Sequence, residues 1–275
     1  MTRVFAIGDI HGCFRALESI LAEILPQVDD LVVVLGDFID RGPESNRVVD
    51  RLIELSGQTQ VVPILGNHEE MLLAILEGHQ YLLGNWLSFG GLATMESYGV
   101  NHPAGISAEH VEFLRSCRPY FETATHFFVH ATYLPRRPLD KQPAEVLRWD
   151  SLRAKLPKPH RSGKTCICGH TSQKSGEVLD AGHIKCIDTH VYGEGWLTAL
   201  DVDTGSMSVA RTFLDQGFRP EPDSIRPEEW INSFDFGDPP ATDTALAATV
   251  ESRPADGDDP ALVRIGVTTA ELADE

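Results

Sequence analysis

Residues 31 to 44 of this chain read LVVVLGDFIDRGPE. The first five residues are apolar on both faces, a pattern typical of a buried strand in a mainly parallel sheet. Asp37, Asp40 and Arg41 follow within five positions, with glycines on both sides. A buried strand that opens directly onto two carboxylates and a guanidinium indicates a polar site at the end of that strand.

The N-terminal part of the chain alternates between strand-like and helix-like segments. Apolar runs typical of strands lie at residues 4–7, 31–35 and 61–65. Apolar residues at helical spacing lie between them and after them, at residues 14–25, 48–55 and 71–76. This βαβαβ order predicts a parallel sheet with right-handed crossovers.

The remainder of the chain predicts a second sheet. Residues 81 to 123 have a helical and irregular pattern, and short strand-like runs then return at residues 127–129, 165–168, 184–187, 196–202 and 207–213. Turn-rich connections such as DVDTGSM, residues 201–207, predict hairpins and hence a mixed sheet. We therefore expect an α/β fold of two sheets with helices outside.

The three early strands all end in polar residues that bind metals well. Asp9 and His11 follow the first strand, Asp37 follows the second, and Asn67 and His68 follow the third. The carboxyl ends of parallel strands lie along one edge of a sheet, where ligands collect. We therefore expect these side chains to converge.

The chemistry of these residues fits a pair of metal ions. A single carboxylate such as Asp37 can bridge two ions about 3.5–4 Å apart. Histidines after later strands would complete the second site. The predicted ligands are Asp9, His11 and Asp37 on one ion, and Asp37, Asn67, His130 and His170 on the other. Nitrogen and oxygen ligands without thiolate suit manganese, iron or zinc, and we expect two divalent ions, with manganese first.

Five short motifs resemble a known family. They are GDIHG (8–12), GDFIDRG (36–42), GNHE (66–69), VHA (129–131) and GHT (169–171). In this order they resemble the bacterial phosphoprotein phosphatase (PPP-type) members of the calcineurin-like dinuclear metallophosphoesterases, over about residues 3 to 213. The resemblance implies a four-layer α/β/β/α sandwich of two mixed sheets. It also implies a serine/threonine phosphoprotein phosphatase in which a hydroxide bridging two ions attacks phosphorus directly.

The resemblance also implies catalytic roles for three residues. His68 would donate a proton to the leaving oxygen, and its partner Asp40 would keep the imidazole protonated near neutral pH. Arg41 would hold phosphate oxygens through its forked donors. By contrast, we interpret Glu69 and Glu70 as charges in the first turn of a helix, and Trp86 and Phe89 as core residues.

Two positions depart from the family pattern. A second phosphate-binding arginine commonly lies two residues after a tryptophan, but Ser151 occupies that place after Trp149. Arg148, Arg153 or neither would substitute. His190 stands where a glycine is frequent, either at the rim of the metal site or as a hydrogen-bonded structural residue.

Composition bounds the function and the compartment. The formal net charge of −18 opposes nucleic-acid binding driven by phosphate neutralisation. We expect no membrane partner, because no apolar run approaches the ~18–20 residues of a span, and the N-terminus lacks a signal-peptide layout. With five cysteines that do not form paired zinc-site blocks, we expect reduced thiols and a cytoplasmic protein of undetermined oligomeric state.

The sequence predicts two regions. Residues 1 to 216 are expected to form the catalytic domain. Residues 217 to 275 hold fourteen Asp or Glu against four Arg, and seven of the seventeen prolines, so we expect an acidic, proline-rich and largely disordered tail. An aromatic cluster at residues 230–236 would either pack on the catalytic domain or be an incidental anchor in a solvated tail.

Alternative functions share these motifs. A dinucleoside tetraphosphate hydrolase would cleave a phosphoanhydride with the same site chemistry. A non-catalytic phosphate-binding regulator is disfavoured, because Asp37, Asn67 and His68 are all present. The expected partner is a phosphorylated protein or a small phosphoester.

Overall fold

The computed structural model describes residues 2–211, 244–253 and 262–271. The chain separates into two units, Met1–Arg219 and Pro220–Glu275. The first unit contains ten strands, β1–β10, and seven α-helices, α1–α7, among its described residues.

The first sheet has five strands in the order β10-β9-β1-β2-β3. Its strands β1, β2 and β3 run parallel, and their bounds are Val4–Ile7, Leu31–Val34 and Gln60–Pro63. Strands β9 (Leu197–Asp201) and β10 (Met207–Ala210) form a hairpin that pairs antiparallel to β1. The helices of this half are α1 (Phe14–Ile24), α2 (Ser45–Ser56), α3 (Asn67–Leu76), α4 (Leu83–Trp86), α5 (Leu92–Tyr98) and α6 (Ala108–Arg115).

The second sheet has the order β4-β5-β6-β8-β7, with β5, β6 and β8 parallel and antiparallel strands at both edges. The bounds are β4 Phe121–Glu122, β5 His126–Phe128, β6 Thr165–Cys168, β7 Leu179–Asp180 and β8 Ile184–Cys186, with α7 (Ala144–Arg148) between β5 and β6. The prediction of two mixed sheets flanked by helices is confirmed.

The position of the last hairpin differs from the prediction. The turn at residues 201–206 does join two strands, but β9 and β10 extend the first sheet instead of the second. The reason is topological: the outer edge of β1 offers unpaired backbone groups, and β9 pairs with them, since buried N–H and C=O groups require partners. Local alternation predicts a strand but not the edge that receives it.

The two sheets pack face to face over one apolar core. Ala6 and Val33 of the first sheet share a buried cluster with Phe128 and Ile167 of the second. A second cluster covers the outer face of the second sheet, where Leu147 of α7 packs on Phe127. On the first sheet, α1 and α2 present amphipathic faces with buried leucines. The parallel strands of both sheets therefore lie within the molecule, and their carboxyl ends flank one site.

Most of the predicted acidic tail lies outside the described residues. The described part of this tail consists of two strands, β11 (Thr244–Arg253) and β12 (Leu262–Glu271), which pair antiparallel. The aromatic cluster at residues 230–236 also lies outside them. The boundary at residue 217 and the disorder of the tail stay predictions.

Candidate dinuclear metal centre

Polar residues follow the carboxyl ends of strands in both sheets. Asp9 lies after β1, Asp37 after β2, and Asn67 begins α3 behind β3. His130 lies two residues after β5 and His170 two residues after β6. The first four side chains are buried and His170 is half-buried. The structure therefore brings residues from five strand ends to one place.

Asp37 lies at the middle of this cluster. Its Oδ2 atom is 3.4 Å from His130 Nε2, 3.6 Å from His11 Nε2 and 3.9 Å from His68 Nε2. Its Oδ1 atom accepts a hydrogen bond of 3.2 Å from the backbone N–H of His68. The described residues thus form two overlapping groups that could each hold an ion: His11, Asp37 and His68, and Asp37, His130 and His170.

Asn67 joins the second group. Its Oδ1 atom lies 3.0 Å from His130 Nε2 and 3.0 Å from His170 Nδ1. The glycine before it permits this approach, because a Cβ atom on Gly66 would collide with the Asp37 carboxylate.

The orientations of three histidines test whether a cation fits. His11 Nδ1 donates to Ile39 O at 3.1 Å, His130 Nδ1 to Leu35 O at 2.8 Å, and His170 Nε2 to Trp149 O at 3.1 Å. Because a carbonyl only accepts, each neutral ring has its proton on the outer nitrogen and a lone pair on the inner one. The lone pairs of His130 and His170 face Asn67 Oδ1, each at 3.0 Å, whereas the lone pair of His11 lies 3.6 Å from Asp37 Oδ2 and also accepts a hydrogen bond from Arg41. Facing acceptors repel unless positive charge lies between them, so the residues fit divalent cations.

Asp9 contributes a further acceptor. Its Oδ2 atom accepts a 3.0 Å hydrogen bond from the backbone N–H of His170, and its Oδ1 atom is buried with no hydrogen-bond partner. Gly169 is needed here, because a Cβ atom at that position would strike Asp9 Oδ1. Burial, and then the nearby Asp188, raises the pKa of Asp9 well above its usual range, so either a proton or a bound cation would neutralise this carboxylate. Asp9 lies outside the two groups defined above, although the sequence predicted that it shares an ion with His11.

The pKa values express the same demand for positive charge. Burial lowers the pKa of His130, but the neighbouring Asp37 carboxylate outweighs burial and raises it to about 9. Burial and the charge on His130 lower the pKa of His170 to about 4. Without a cation, a proton on His130 separates the facing acceptors. With one, the lone pair of His130 is available as a ligand.

His68 and Asp40 form a buried pair beside the cluster. His68 Nδ1 lies 2.6 Å from Asp40 Oδ2, and its Nε2 atom faces Asp37. Burial lowers the pKa of His68, but Asp37 and Asp40 together raise it above its ordinary value. The Asp40 contact places the ring proton of the neutral imidazole on Nδ1, and the raised pKa makes the doubly protonated form more accessible than it is in a free histidine.

Two side chains hold the Asp40 carboxylate by hydrogen bonds. Trp86 was predicted to be a core residue, and Thr94 was not singled out in the sequence. Trp86 Nε1 donates to Asp40 Oδ2 at 2.8 Å, and Thr94 Oγ1 donates to Asp40 Oδ1 at 2.6 Å. Trp86 is fully buried, as predicted, but its indole N–H has a partner in the site. These bonds fix the Asp40 carboxylate, while its backbone, in a left-handed conformation with φ 71°, donates its N–H to Ser45 Oγ and Thr94 Oγ1. The signal available in the sequence was the buried indole, whose N–H needs an acceptor.

Arg41 lies across the mouth of the cluster. Its Nη1 atom is 3.0 Å from His11 Nε2, and its Nη2 atom is 3.1 Å from His68 Nε2. Its guanidinium carbon lies 4.4 Å from the ring centroid of Tyr192, whose edge also contacts His11. Sequence reasoning missed Tyr192, which precedes a glycine in an irregular connection and carries no motif.

Glu69 has a larger role than its helix position suggests. Its buried carboxylate accepts hydrogen bonds from the backbone N–H groups of Asp37, Phe38, Ile39 and Gly66. The Gly66 bond closes a capping box at the start of α3. Burial, and then the charge of Asp37, raises the pKa of Glu69 to about 7. The interpretation as a simple first-turn charge therefore missed that Glu69 shapes the loop that carries Asp37.

The structure gives partners to the residues at the two positions that depart from the family pattern. Arg148 is paired with Glu70, and Arg153 donates to Ser172 O at 3.3 Å, so the hydrogen bonds of these two arginines go to groups other than the predicted ligands. The His190 ring packs edge-on against Tyr192 at 4.6 Å, and its backbone N–H bonds to Asp188. His190 thus supports the aromatic ring that contacts Arg41.

A family model agrees with this geometry. The model described as calcineurin-like phosphoesterase matches residues 2–174, and this range includes all nine predicted site residues. The chain belongs to the calcineurin-like phosphoesterase family. Members of this family use a dinuclear centre of divalent metal ions, and the described residues supply candidate ligands for it. A second model, described as von Willebrand factor, matches residues 197–259 and begins on β9 of the first sheet.

Curated relatives bear two kinds of name. Serine/threonine-protein phosphatase 1 of Salmonella typhimurium is 33% identical over 152 residues, which is 53% of this chain and 62% of the relative. A symmetrical bis(5'-nucleosyl)-tetraphosphatase of an Acidovorax species is 42% identical over 76 residues, 27% of this chain and 26% of the relative. The matches thus span less than two thirds of the length of either relative.

The fold has solved counterparts. A crystal structure described as a candidate diadenosine tetraphosphatase superposes with a TM-score of 0.59 at 24% identity, covering 76% of this chain and 93% of that one. This likeness concerns the fold. Among the described residues, no helix has both the length and the apolarity to span a membrane.

Proposed function

We propose that this chain is a metal-dependent serine/threonine phosphoprotein phosphatase that hydrolyses phosphomonoesters. One observation carries the proposal: the His68–Asp40 pair and the Arg41 guanidinium converge on the same side of the Asp37 cluster. A proton donor, a phosphate-binding group and a set of cation ligands therefore occupy one site. These are the three parts that metal-assisted hydrolysis of a phosphate ester uses.

We propose the same metal ligands that the sequence predicts. Asp9, His11 and Asp37 would hold one cation, and Asp37, Asn67, His130 and His170 the other. Bound divalent cations would polarise the phosphoryl group and ionise water near neutral pH. We propose manganese as the native ion, with iron or zinc as the alternatives compatible with nitrogen and oxygen donors. Elemental analysis of the purified protein tests this choice.

His68, Asp40 and Arg41 would act directly on the substrate or support a group that does. His68 Nε2–H would protonate the serine or threonine oxygen as it leaves, while Asp40 stabilises the imidazolium through Nδ1. The Nη1 and Nη2 atoms of Arg41 form a fork beside the two imidazoles, suited to two oxygens of one phosphate. Tyr192 would hold that fork in place through its ring.

The partners of Arg148 and Arg153 favour a phosphate monoester over a dinucleoside tetraphosphate as the substrate. A dinucleoside tetraphosphate carries several charges along its phosphate chain, which need cationic side chains beyond the metal site. Arg148 is bound to Glu70, and Arg153 to a backbone carbonyl. With Arg41 as the guanidinium that contacts the cluster, and a net charge of −18, a single phosphate is the better match.

A symmetrical dinucleoside tetraphosphatase is the second candidate. The observation that favours it is the 42% identity over 76 residues to a relative of that name. Phosphopeptide and diadenosine tetraphosphate should therefore be compared side by side, with Mn²⁺ present. Under the main proposal kcat/KM for the phosphopeptide is the higher, and a strong preference for the dinucleotide replaces that proposal with the second.

Asp37→Asn provides the test of the site. With one anionic oxygen lost at the centre, manganese-dependent hydrolysis of an aryl phosphate should disappear, whereas Asp29→Asn, at an exposed turn, should keep wild-type turnover. Wild-type protein that is inactive with every divalent metal tried would instead support a phosphate-binding regulator.

The tail and the compartment complete the proposal. We expect residues 217 to 275 to be a separate acidic segment, and deleting them should leave phosphatase activity and thermal stability unchanged. A fall in either quantity would show that the tail supports the catalytic domain. Cys117, Cys166, Cys168 and Cys186 are free thiols, which is compatible with a reducing cytoplasm.

A further inference from the structure

Glu70 differs from its neighbours in α3. Asn67, His68 and Glu69 face the cluster around Asp37, whereas Glu70 points to the residues that end α7. One of its carboxylate oxygens binds the Arg148 guanidinium, and Oε2 accepts a 2.6 Å hydrogen bond from Trp149 Nε1. Glu70 therefore fixes two consecutive residues by two separate charge-assisted bonds.

Trp149 connects this clamp to a predicted ligand. The backbone carbonyl of Trp149 accepts from His170 Nε2 at 3.1 Å. That bond places the ring proton on Nε2 and leaves a lone pair on Nδ1, which lies 3.0 Å from Asn67 Oδ1. The opposite tautomer would present N–H to the cluster and could not bind a metal there.

His170 needs an external support of this kind. It lies in a connection after β6 and has a left-handed backbone with φ 62°, a conformation that is unfavourable for a residue other than glycine. The Trp149 residue that supports it follows α7, a helix of only five residues. The bond from Glu70 ties this short helix to α3, the same helix that carries Asn67.

We propose that Glu70 is a positioning residue for the second cation site. Through Trp149 it sets the tautomer and the orientation of His170. The clamp would also keep Arg148 from binding phosphate, because its guanidinium is bound to Glu70 and its side chain is only 10% exposed. The inference rests on the metal site of the proposed function and not on its substrate.

Two conservative variants test the clamp. Trp149→Phe keeps an aromatic side chain and removes the indole N–H, and Glu70→Gln removes the charge that both partners use. Titration calorimetry of metal-free protein with Mn²⁺ alone should show about tenfold weaker binding at one of two sites in each variant. The double variant should bind Mn²⁺ no more weakly than the Glu70→Gln variant, because both substitutions reach His170 through the Glu70–Trp149 bond.

A second readout reports the tautomer itself. In nitrogen-15 NMR spectra of metal-free protein, the His170 ring should carry its proton on Nε2 in wild type and show the Nδ1–H form in both variants. Glu112→Gln is the matched control, because it breaks a 2.7 Å glutamate–arginine pair with Arg115 on α6, and it should bind Mn²⁺ as wild type does.

Wild-type Mn²⁺ affinity together with an unchanged His170 tautomer in both variants would overturn the inference, even if the melting temperature falls. Glu70 would then only stabilise the fold. Neither measurement contains substrate. If the variants bind Mn²⁺ more weakly but the wild-type protein shows no phosphatase activity, the proposed function is refuted and the role of Glu70 stands.

Discussion

Replacing Glu69 with glutamine should loosen the loop that carries Asp37. The Glu69 carboxylate accepts from four buried backbone N–H groups, two on each oxygen: Asp37 at 2.9 Å and Gly66 at 3.1 Å on Oε2, and Phe38 at 2.8 Å and Ile39 at 3.3 Å on Oε1. The glutamine amide accepts only through its oxygen. Its NH₂ group would face two N–H donors, and two buried donors would lose their acceptor.

The magnitude follows from those two orphaned groups. Each buried N–H without a partner costs about 1–3 kcal/mol, so Glu69→Gln should lower the free energy of unfolding by about 2–4 kcal/mol after partial relaxation. For a domain of this size the melting temperature should fall by roughly 4–16 °C. Thermal and urea unfolding of metal-free protein, followed by circular dichroism, measures both quantities.

The control for this prediction is Glu23→Gln on the exposed face of α1. It removes the same charge from the chain and should change the melting temperature by less than about 1–2 °C. A Glu69→Gln protein that melts together with this control would refute the reasoning, because the four donors would then have found other acceptors at no cost.

Three further predictions concern the site and the sheet. Asp40→Asn should lower the pKa of His68, so that the alkaline limb of the pH–rate profile for kcat moves to lower pH. The same substitution should reduce kcat by up to about 10²–10⁴-fold. An unchanged pH–rate profile would contradict the role of His68 as the acid. Tyr192→Ala should raise KM for an aryl phosphate by roughly 2- to 30-fold, because the ring contact with Arg41 is lost. Tyr192→Phe keeps that contact and should leave KM near the wild-type value. Equal KM values for the two variants would exclude a role for the ring contact. Burial opposes ionisation of Asp30, but bonds from Arg3 and Gln27 lower its pKa, so its stabilising effect is present above pH about 4 and lost as pH falls through the folded value. The stability gap between wild type and Asp30→Asn in urea should accordingly close towards acid pH, and a constant gap would contradict this.

The motifs that end the strands were informative because they combine local and topological constraints. A parallel βαβαβ order places three strand ends on one edge, so the sequence alone predicts that Asp9, Asp37 and Asn67 converge. The structure does bring them together with His130 and His170. Their roles as ligands stay predictions, to be tested by metal binding.

Residues whose partners lie far away in the chain were not identified from the sequence. Glu69 looked like an ordinary first-turn charge, because nothing in its neighbourhood along the chain shows the four N–H groups that it would meet. Tyr192 and Trp149 lie in irregular connections, where spacing carries no information about direction. Only the packed structure shows which atoms they reach.

The sequence by itself determined the alternating strands and helices, the order of the polar strand ends and the residue types available to a metal centre. These follow from short-range periodicity and from the handedness of crossovers, which depend on the chain locally. The tertiary structure decided which edge accepts β9, which ring nitrogen of His130 and of His170 faces a backbone carbonyl, and that Arg148 binds Glu70. Those outcomes depend on groups that are far apart in the chain, because a buried polar atom takes whatever partner the fold brings to it.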